Sequence, residues 1–207
     1  MRTNIEQVSW QEAEELVRNP SDDWHIVRID AKLDVDYYWD LTQKIMEEYA
    51  LIKKDFYKTY EAIGLQQANG DDPLYESVLM TSSPSGTRYN QFQPSDFKDL
   101  NELGKRYQDY FDMLHEKFPS LGLFRTRILV AQPLHLHAAH IDERGCRLHF
   151  PLKTHKYAMM WFEDQPYHMR ADGSLYVCNT GVVSHNFGNL SSKLGNRTHI
   201  VTGLGAV

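Results

Sequence analysis

The chain has little of what marks exported, membrane-bound or nucleic-acid-binding proteins. It carries two cysteines, Cys146 and Cys178, in 207 residues. That is too few for a disulfide-built scaffold, and both are expected to stay reduced and packed as small hydrophobes. Lysine and arginine total 22 against 28 aspartate and glutamate, giving a formal net charge of −6. No run of basic residues supplies a patch, which excludes nucleic acid and anionic membrane as expected partners. Long apolar runs are missing, so no segment is expected to cross a bilayer. The opening Met1-Arg2-Thr3-Asn4-Ile5-Glu6 lacks the apolar stretch of a secretory signal, and the expected location is cytoplasmic. Repeats, low-complexity tracts and linkers are also lacking, so residues 1–207 are read as one domain. What remains is 42% hydrophobic, enough for a single sizeable core.

The two parts of the chain differ in texture. Residues 1–121 read as a helix-rich covering part. Ser9-Trp10-Gln11-Glu12 is a capping-box pattern and opens a short helix to about Arg18. Trp24 to Ile29 reads as a strand. Tyr37, Leu41, Ile45, Tyr49, Ile52, Phe56 and Tyr60 recur every three to four positions and predict one long helix from about Asp34 to Tyr60. A second long helix is expected from Pro94-Ser95, carrying Phe97, Leu100, Leu103, Tyr107, Phe111 and Leu114. Residues 122–207 read as β-rich, with runs at Phe124–Ala131, Cys146–Lys153, Tyr157–Phe162, Leu175–Cys178, Val182–Phe187 and Thr198–Leu204. Helices first and strands afterwards predict an α+β fold: a double-stranded β-helix, or jelly roll, with the N-terminal helices packed on one sheet.

Eight of the ten histidines fall between His135 and His199. His140-Ile141-Asp142 places an imidazole and a carboxylate at i and i+2, on one face of a strand, where both can hold one metal. Taken alone, such a tripeptide is expected about once by chance in this composition. His185 lies 43 residues beyond Asp142, room for a few strands to bring the chain back beside its start. Two histidines and one carboxylate make a facial triad that leaves positions open for iron(II) oxygen chemistry. Arg197 follows twelve residues later at the start of the last strand. Its fork suits the far carboxylate of a dicarboxylate co-substrate whose other end chelates the metal.

Arg147-Leu148-His149-Phe150-Pro151-Leu152-Lys153-Thr154 closely follows this pair. The segment resembles the Arg-Leu-His-aliphatic-Pro-Leu-x-Thr signature of the aspartyl/asparaginyl β-hydroxylase family, which includes bacterial free-amino-acid hydroxylases such as proline hydroxylases. The likeness spans about Phe124 to Leu204. It implies iron bound by His140, Asp142 and His185, 2-oxoglutarate held by Arg197, and Arg147 and His149 near its chelating end. The implied reaction is hydroxylation of an amino acid or amino-acid-like substrate with 2-oxoglutarate and O2, releasing succinate and CO2. Where many members continue Thr-Asn, this chain has Thr154-His155, so His155 inherits no role. The same alternation puts Arg147 with His149, and Arg197 with His199, on a polar face, while Leu148, Phe150, Thr198 and Ile200 take the other.

Two rival readings share the architecture. His135, His137, Glu143 and His185 would make a cupin-type site of three histidines and a glutamate, serving a dioxygenase or isomerase without 2-oxoglutarate. That set leaves Arg147 and Arg197 without a task. The other rival is a non-catalytic ligand-binding jelly roll. For the substrate, small molecule or peptide, Arg125 and Arg127 share a strand face, and Arg127 is the candidate for a substrate carboxylate. The segment Thr81 to Arg88, rich in small residues, reads as a lid or a plain connection.

Overall fold

Residues on the two sides of the strands that begin at Cys146 and Arg197 differ in polarity, and that alternation sorts them between an apolar outer face and a polar inner one. The computed structural model describes residues 5–49, 51–54, 57–68, 93–142 and 145–206. In chain order, its strands are β1 (Glu6–Gln7), β2 (Ile26–Ile29), β3 (Ile52–Lys54), β4 (Tyr57–Gly64), β5 (Gln66–Gln67), β6 (Asp99–Leu100) and β7 (Leu121–Ala131). There follow β8 (His135–Leu136), β9 (Cys146–Lys153), β10 (Ala158–Phe162), β11 (Gln165–Tyr167), β12 (Leu175–Cys178), β13 (His185–Asn189) and β14 (Arg197–Ala206). The helices are α1 (Trp10–Arg18), α2 (Val35–Glu48) and α3 (Gln108–Lys117).

Among the described residues, the major sheet runs β1-β2-β12-β9-β14-β7-β4-β3 and the minor sheet β11-β10-β13-β8. This is the expected α+β jelly roll. On the outer face of the major sheet Leu148, Phe150, Leu152, Ile128, Val130, Val177 and Ile200 pack against Ile45 of α2 and Tyr110, Phe111 and Leu114 of α3. On its inner face Leu129, Ala131, Tyr176, Cys178 and Val201 meet Met160, Phe162 and Phe187 of the minor sheet. Arg147, His149, Arg197 and His199 share that inner parity, so the polar residues lie between the sheets.

Helix α1 begins where the sequence places it. Glu12 N–H donates to Ser9 Oγ at 3.2 Å, and Ser9 N–H donates to Glu12 Oε2 at 2.7 Å. Helix α2 starts at Asp34, whose Oδ1 accepts from Tyr37 N–H at 3.0 Å. It does not continue to Tyr60. It ends at Glu48, and its last turn carries Glu47 and Glu48 with no basic residue, charges that oppose the negative pole of the helix. The chain beyond instead supplies β3 and β4 to the sheet edge, with Tyr60 opposite Ala131 and Ala62 opposite Leu129. Tyr60 and Ala62 face inward and Ile63 outward, a period of two that overlaps the three-to-four spacing read as helix. Hydrogen bonds to β7 settle the competition. Phe56 lies outside the described residues.

The second expected helix is also broken. A 3-10 turn at Pro94–Asp96, strand β6 and a 3-10 turn at Gly104–Tyr107 precede α3. Asn101 forces the break: its Nδ2 donates to Gly64 O at 2.9 Å, and its Oδ1 accepts from Gly104 N–H at 2.8 Å. The contact requires a glycine, because a Cβ at Gly104 would sit 2.0 Å from Leu65 O. The segment Thr81 to Arg88 lies outside the described residues. Among the described residues no helix is long and apolar enough to cross a membrane.

Cys146 and Cys178 are free and buried, and burial pushes the Cys146 thiol up to about 12 and Cys178 well above the usual range. Both thiols are therefore expected to resist iodoacetamide in the folded protein and to react together on unfolding, as read by mass spectrometry. Phe150 is fully buried, with its ring 5.3 Å from Tyr38 and 6.0 Å from Tyr110. Phe150→Ala is expected to cost about 3–5 kcal/mol in urea unfolding.

Candidate metal centre

His140, Asp142 and His185 come from three separate backbone settings. His185 opens β13, and a single antiparallel bridge joins it to His140: His140 N–H donates to His185 O, and His185 N–H to His140 O, both at 2.9 Å. The His-x-Asp segment thus departs from the expected ladder strand, forming one bridge and then leaving. Asp142 is held from the other side, its N–H donating to Thr180 O at 2.8 Å. Glycines make this close approach possible. A Cβ at Gly181 would lie 2.5 Å from Gly145 O, and Gly145 itself has φ +62°.

The three ligand atoms lie within 4.8 Å of one another. His140 Nε2 is 3.8 Å from Asp142 Oδ1, and His185 Nε2 is 3.8 Å from Asp142 Oδ2. Each imidazole has its other nitrogen against a backbone carbonyl: His140 Nδ1 on Ala138 O at 2.9 Å, His185 Nδ1 on Val183 O at 3.4 Å. A carbonyl only accepts, so Nδ1 carries a proton in each ring, and Nε2, the nitrogen turned towards the carboxylate, is the atom placed to ligate a metal. Burial, against the pull of Asp142, holds His185 down to about 4, which keeps it neutral at physiological pH. Desolvation would raise the Asp142 carboxyl. Arg147, followed by His185, outweighs it and brings the group down to about 2. Arg147 Nε donates to Asp142 Oδ2 at 3.1 Å. Two imidazoles with Nε2 turned towards one carboxylate fit a divalent first-row metal with positions left open.

Along the inner face a second polar group forms. Arg197 is 2% exposed, its Nη2 donates to His199 Nδ1 at 3.0 Å, and its guanidinium carbon lies 5.0 Å from the Phe187 ring centre. A guanidinium only donates, so His199 carries its proton on Nε2. His149 Nδ1 sits 3.4 Å from the same His199 nitrogen. Burial, reinforced by Arg197, pushes both His149 and His199 well below the usual histidine range. Arg197 itself is lowered by burial to about 10, which leaves it charged near neutral pH. Arg197 Nη1 and His199 Nε2 are buried with no hydrogen-bond partner among the described residues. Two buried donors without acceptors suit a carboxylate.

The structure therefore brings together His140, Asp142, His185 and Arg147, and separately joins Arg197, His199 and His149. Arg127 lies on β7 opposite Val201, on the same inner face. The cupin set does not assemble among the described residues. His135 turns to Thr59, its Nδ1 2.8 Å from Thr59 Oγ1, and stacks on Tyr60, while Glu143 lies outside the described residues. His137 stacks on Phe187 with its ring 4.8 Å from that of His140. His155 Nδ1 accepts from Tyr157 N–H at 3.3 Å, apart from the metal-ligand set. Sequence reasoning missed Thr180, which positions Asp142, and Phe187, which underlies Arg197. Asn179-Thr180-Gly181 carries a turn signal but nothing that marks its partner.

No protein-family model matches the sequence, and no curated protein matches it significantly. Solved structures do match in fold. A Pseudomonas putida prolyl-4-hydroxylase aligns over 94% of this chain and 99% of its own, with 13% identity and a TM-score of 0.55. The dioxygenase for auxin oxidation 1 of Arabidopsis thaliana, in a complex with 2-oxoglutarate, aligns over 99% and 93%, with 10% identity and a TM-score of 0.55. A viral collagen prolyl hydroxylase from Paramecium Bursaria Chlorella virus-1, also a 2-oxoglutarate complex, aligns over 91% and 99%, with 12% identity and a TM-score of 0.51. At these identities the likeness establishes the fold.

Dialysed protein is expected to take up close to one equivalent of cobalt(II) or manganese(II). His140→Ala, Asp142→Ala and His185→Ala are each expected to weaken uptake by at least about 100-fold, since even residues that only orient ligands change affinity about 10- to 100-fold. Stoichiometric, undiminished binding by His185→Ala would overturn the ligand set.

Proposed function

We propose that the chain is an iron(II)- and 2-oxoglutarate-dependent oxygenase that hydroxylates an amino acid or amino-acid-like substrate, akin to the aspartyl/asparaginyl β-hydroxylases. One observation carries this reading: His140, Asp142 and His185 converge, while Arg197 is buried on the same interior with a donor atom that has no acceptor among the described residues. The likeness in fold to proteins solved with 2-oxoglutarate supports it.

Each residue has a task in this scheme. His140 and His185 offer Nε2 and Asp142 offers its carboxylate to iron(II), with both imidazoles held in register by the carbonyls of Ala138 and Val183. Arg147 keeps Asp142 ionised and oriented. Arg197, with the Nε2–H of His199, binds the far carboxylate of 2-oxoglutarate, while His149 stands near its chelating end. When bound, the metal with 2-oxoglutarate and O2 supplies the oxidising power, and succinate and CO2 leave as co-products. The protein contributes placement and a dry interior lined by Phe162, Phe187 and Val201.

Succinate release from 2-oxoglutarate, dependent on added iron(II), tests the proposal. Asp142→Ala is expected to abolish it. Arg197→Ala is expected to raise the 2-oxoglutarate KM by about 10- to 100-fold, the worth of a lost charge-assisted hydrogen bond. Metal uptake without any binding or turnover of 2-oxoglutarate would overturn the reading.

A further inference from the structure

The interior holds more buried arginines than the chemistry above uses. Arg125, Arg127, Arg147 and Arg197 are all buried. Arg197 faces the co-substrate position and Arg147 is joined to Asp142. Among the described residues Asp142 is the carboxylate on this face. Glu61, also buried, is opposite Val130 and so has the parity that faces the helices.

The local geometry shows how Arg125 and Arg127 reach the interior. The pairing of β7 with β14 shifts register between Val201 and Gly203, and Arg125, at that bulge, has φ +53°. Left-handed backbone strains a residue with a side chain, and bulges of this kind re-aim side chains beside sites. Thr126 turns away, its hydroxyl donating to Gln66 Oε1 at 2.8 Å. Arg125 turns inward, where burial and then the charges of Arg127 and Arg147 hold its guanidinium well below the usual range. Phe124 supplies a floor. Its Cε2 would be 2.3 Å from a Cβ on Gly203, so its ring covers the space that glycine leaves open, with the Arg147 guanidinium carbon 5.7 Å from the ring centre. Val201 of β14 pairs with Arg127 on one side and His149 on the other. Arg127 and the β9 residues therefore stand about 10 Å apart across one intervening strand. Arg127 Nε is buried with no hydrogen-bond partner among the described residues. A buried guanidinium nitrogen in a field of like charge, over an aromatic floor, is a receptor for an oxyanion.

We infer that Arg127 receives an anionic group of the substrate, a carboxylate or a phosphate monoester, so that the substrate is an acid rather than a neutral amide or alcohol. The inference rests on the oxygenase reading for what becomes of that acid, and on Arg127 and its surroundings for its charge. Arg125 and Arg147 add to the attraction. Phe124 gives the carbon skeleton an apolar surface.

The full chain loaded with cobalt(II) and 2-oxoglutarate is titrated calorimetrically with free amino acids, short dicarboxylic acids and sugar phosphates. Each acid is set beside its primary amide or unphosphorylated form, and peptides blocked at both ends and free of acidic side chains form a further arm. At least one acid is expected to bind about 30-fold tighter than its neutral counterpart, and the class that does so separates carboxylate from phosphate. Arg127→Gln is expected to erase that preference, and Arg127→Lys to keep part of it. Equal binding of acid and neutral partner overturns the inference, as does binding of blocked peptides alone, or a preference that survives Arg127→Gln. Should Arg127→Gln fail to fold, the acid–neutral comparison on the unaltered chain decides. Absence of metal-dependent 2-oxoglutarate binding in the unaltered chain counts against the oxygenase reading, separately from the acid preference.

Discussion

Strand β14 is hydrogen-bonded along both edges, to β7 and to β9, and this double pairing holds every other part of the interior in place. Because successive side chains alternate across a strand, locking its register locks the direction of Arg197, His199 and Val201 inward and of Thr198, Ile200 and Leu204 outward. A slip of one residue would exchange the two sets. It would drive a guanidinium and an imidazole into the helices and turn Ile200 and Leu204 towards the polar side of the sheet. The outer apolar face is buried against α2 and α3, so the hydrophobic effect enforces the register that the polar face needs.

Burying so many cations is costly, and the structure offsets the cost in ways that also prepare the site. Arg147 and Asp142 neutralise each other locally, which keeps the carboxylate ionised where burial alone would protonate it. Carbonyls fix the protons of His140 and His185 on Nδ1, and Arg197 fixes the proton of His199 on Nε2. Each tautomer is set before a ligand arrives, so little reorganisation is left for binding. Donors at Arg197, His199 and Arg127 that have no acceptor among the described residues run the other way. Such donors carry a stability cost, and under the proposed function they are the groups that a ligand would satisfy.

Much of this was legible in residue order. Alternation in Arg147–Lys153 and Arg197–Val201 correctly assigned polar and apolar faces, and the Ser9 capping box correctly opened α1. The errors came where one pattern fits two structures. The spacing of Tyr49, Ile52 and Tyr60 suits a helix face, yet Tyr60, Ala62 and Ile63 also satisfy a strand, and pairing with β7 chose between them. Asn101 ends the second expected helix through a bond to Gly64, a residue 37 positions away, which no local window contains.

By itself, residue order determined the chemistry on offer: a histidine and a carboxylate at i and i+2, a second imidazole some strands later, an arginine beyond it, and an interior that alternates polar with apolar. Tertiary structure alone decided which of eight neighbouring histidines meet, since His140 and His185 are joined by a bridge between distant segments while His135 turns to Thr59. It alone decided that a bulge would bring Arg125 and Phe124 beside Arg127. The reason is physical. Side-chain type and parity are local properties of a strand, whereas register, bulges and convergence are set by hydrogen bonds and close packing between segments far apart in the chain.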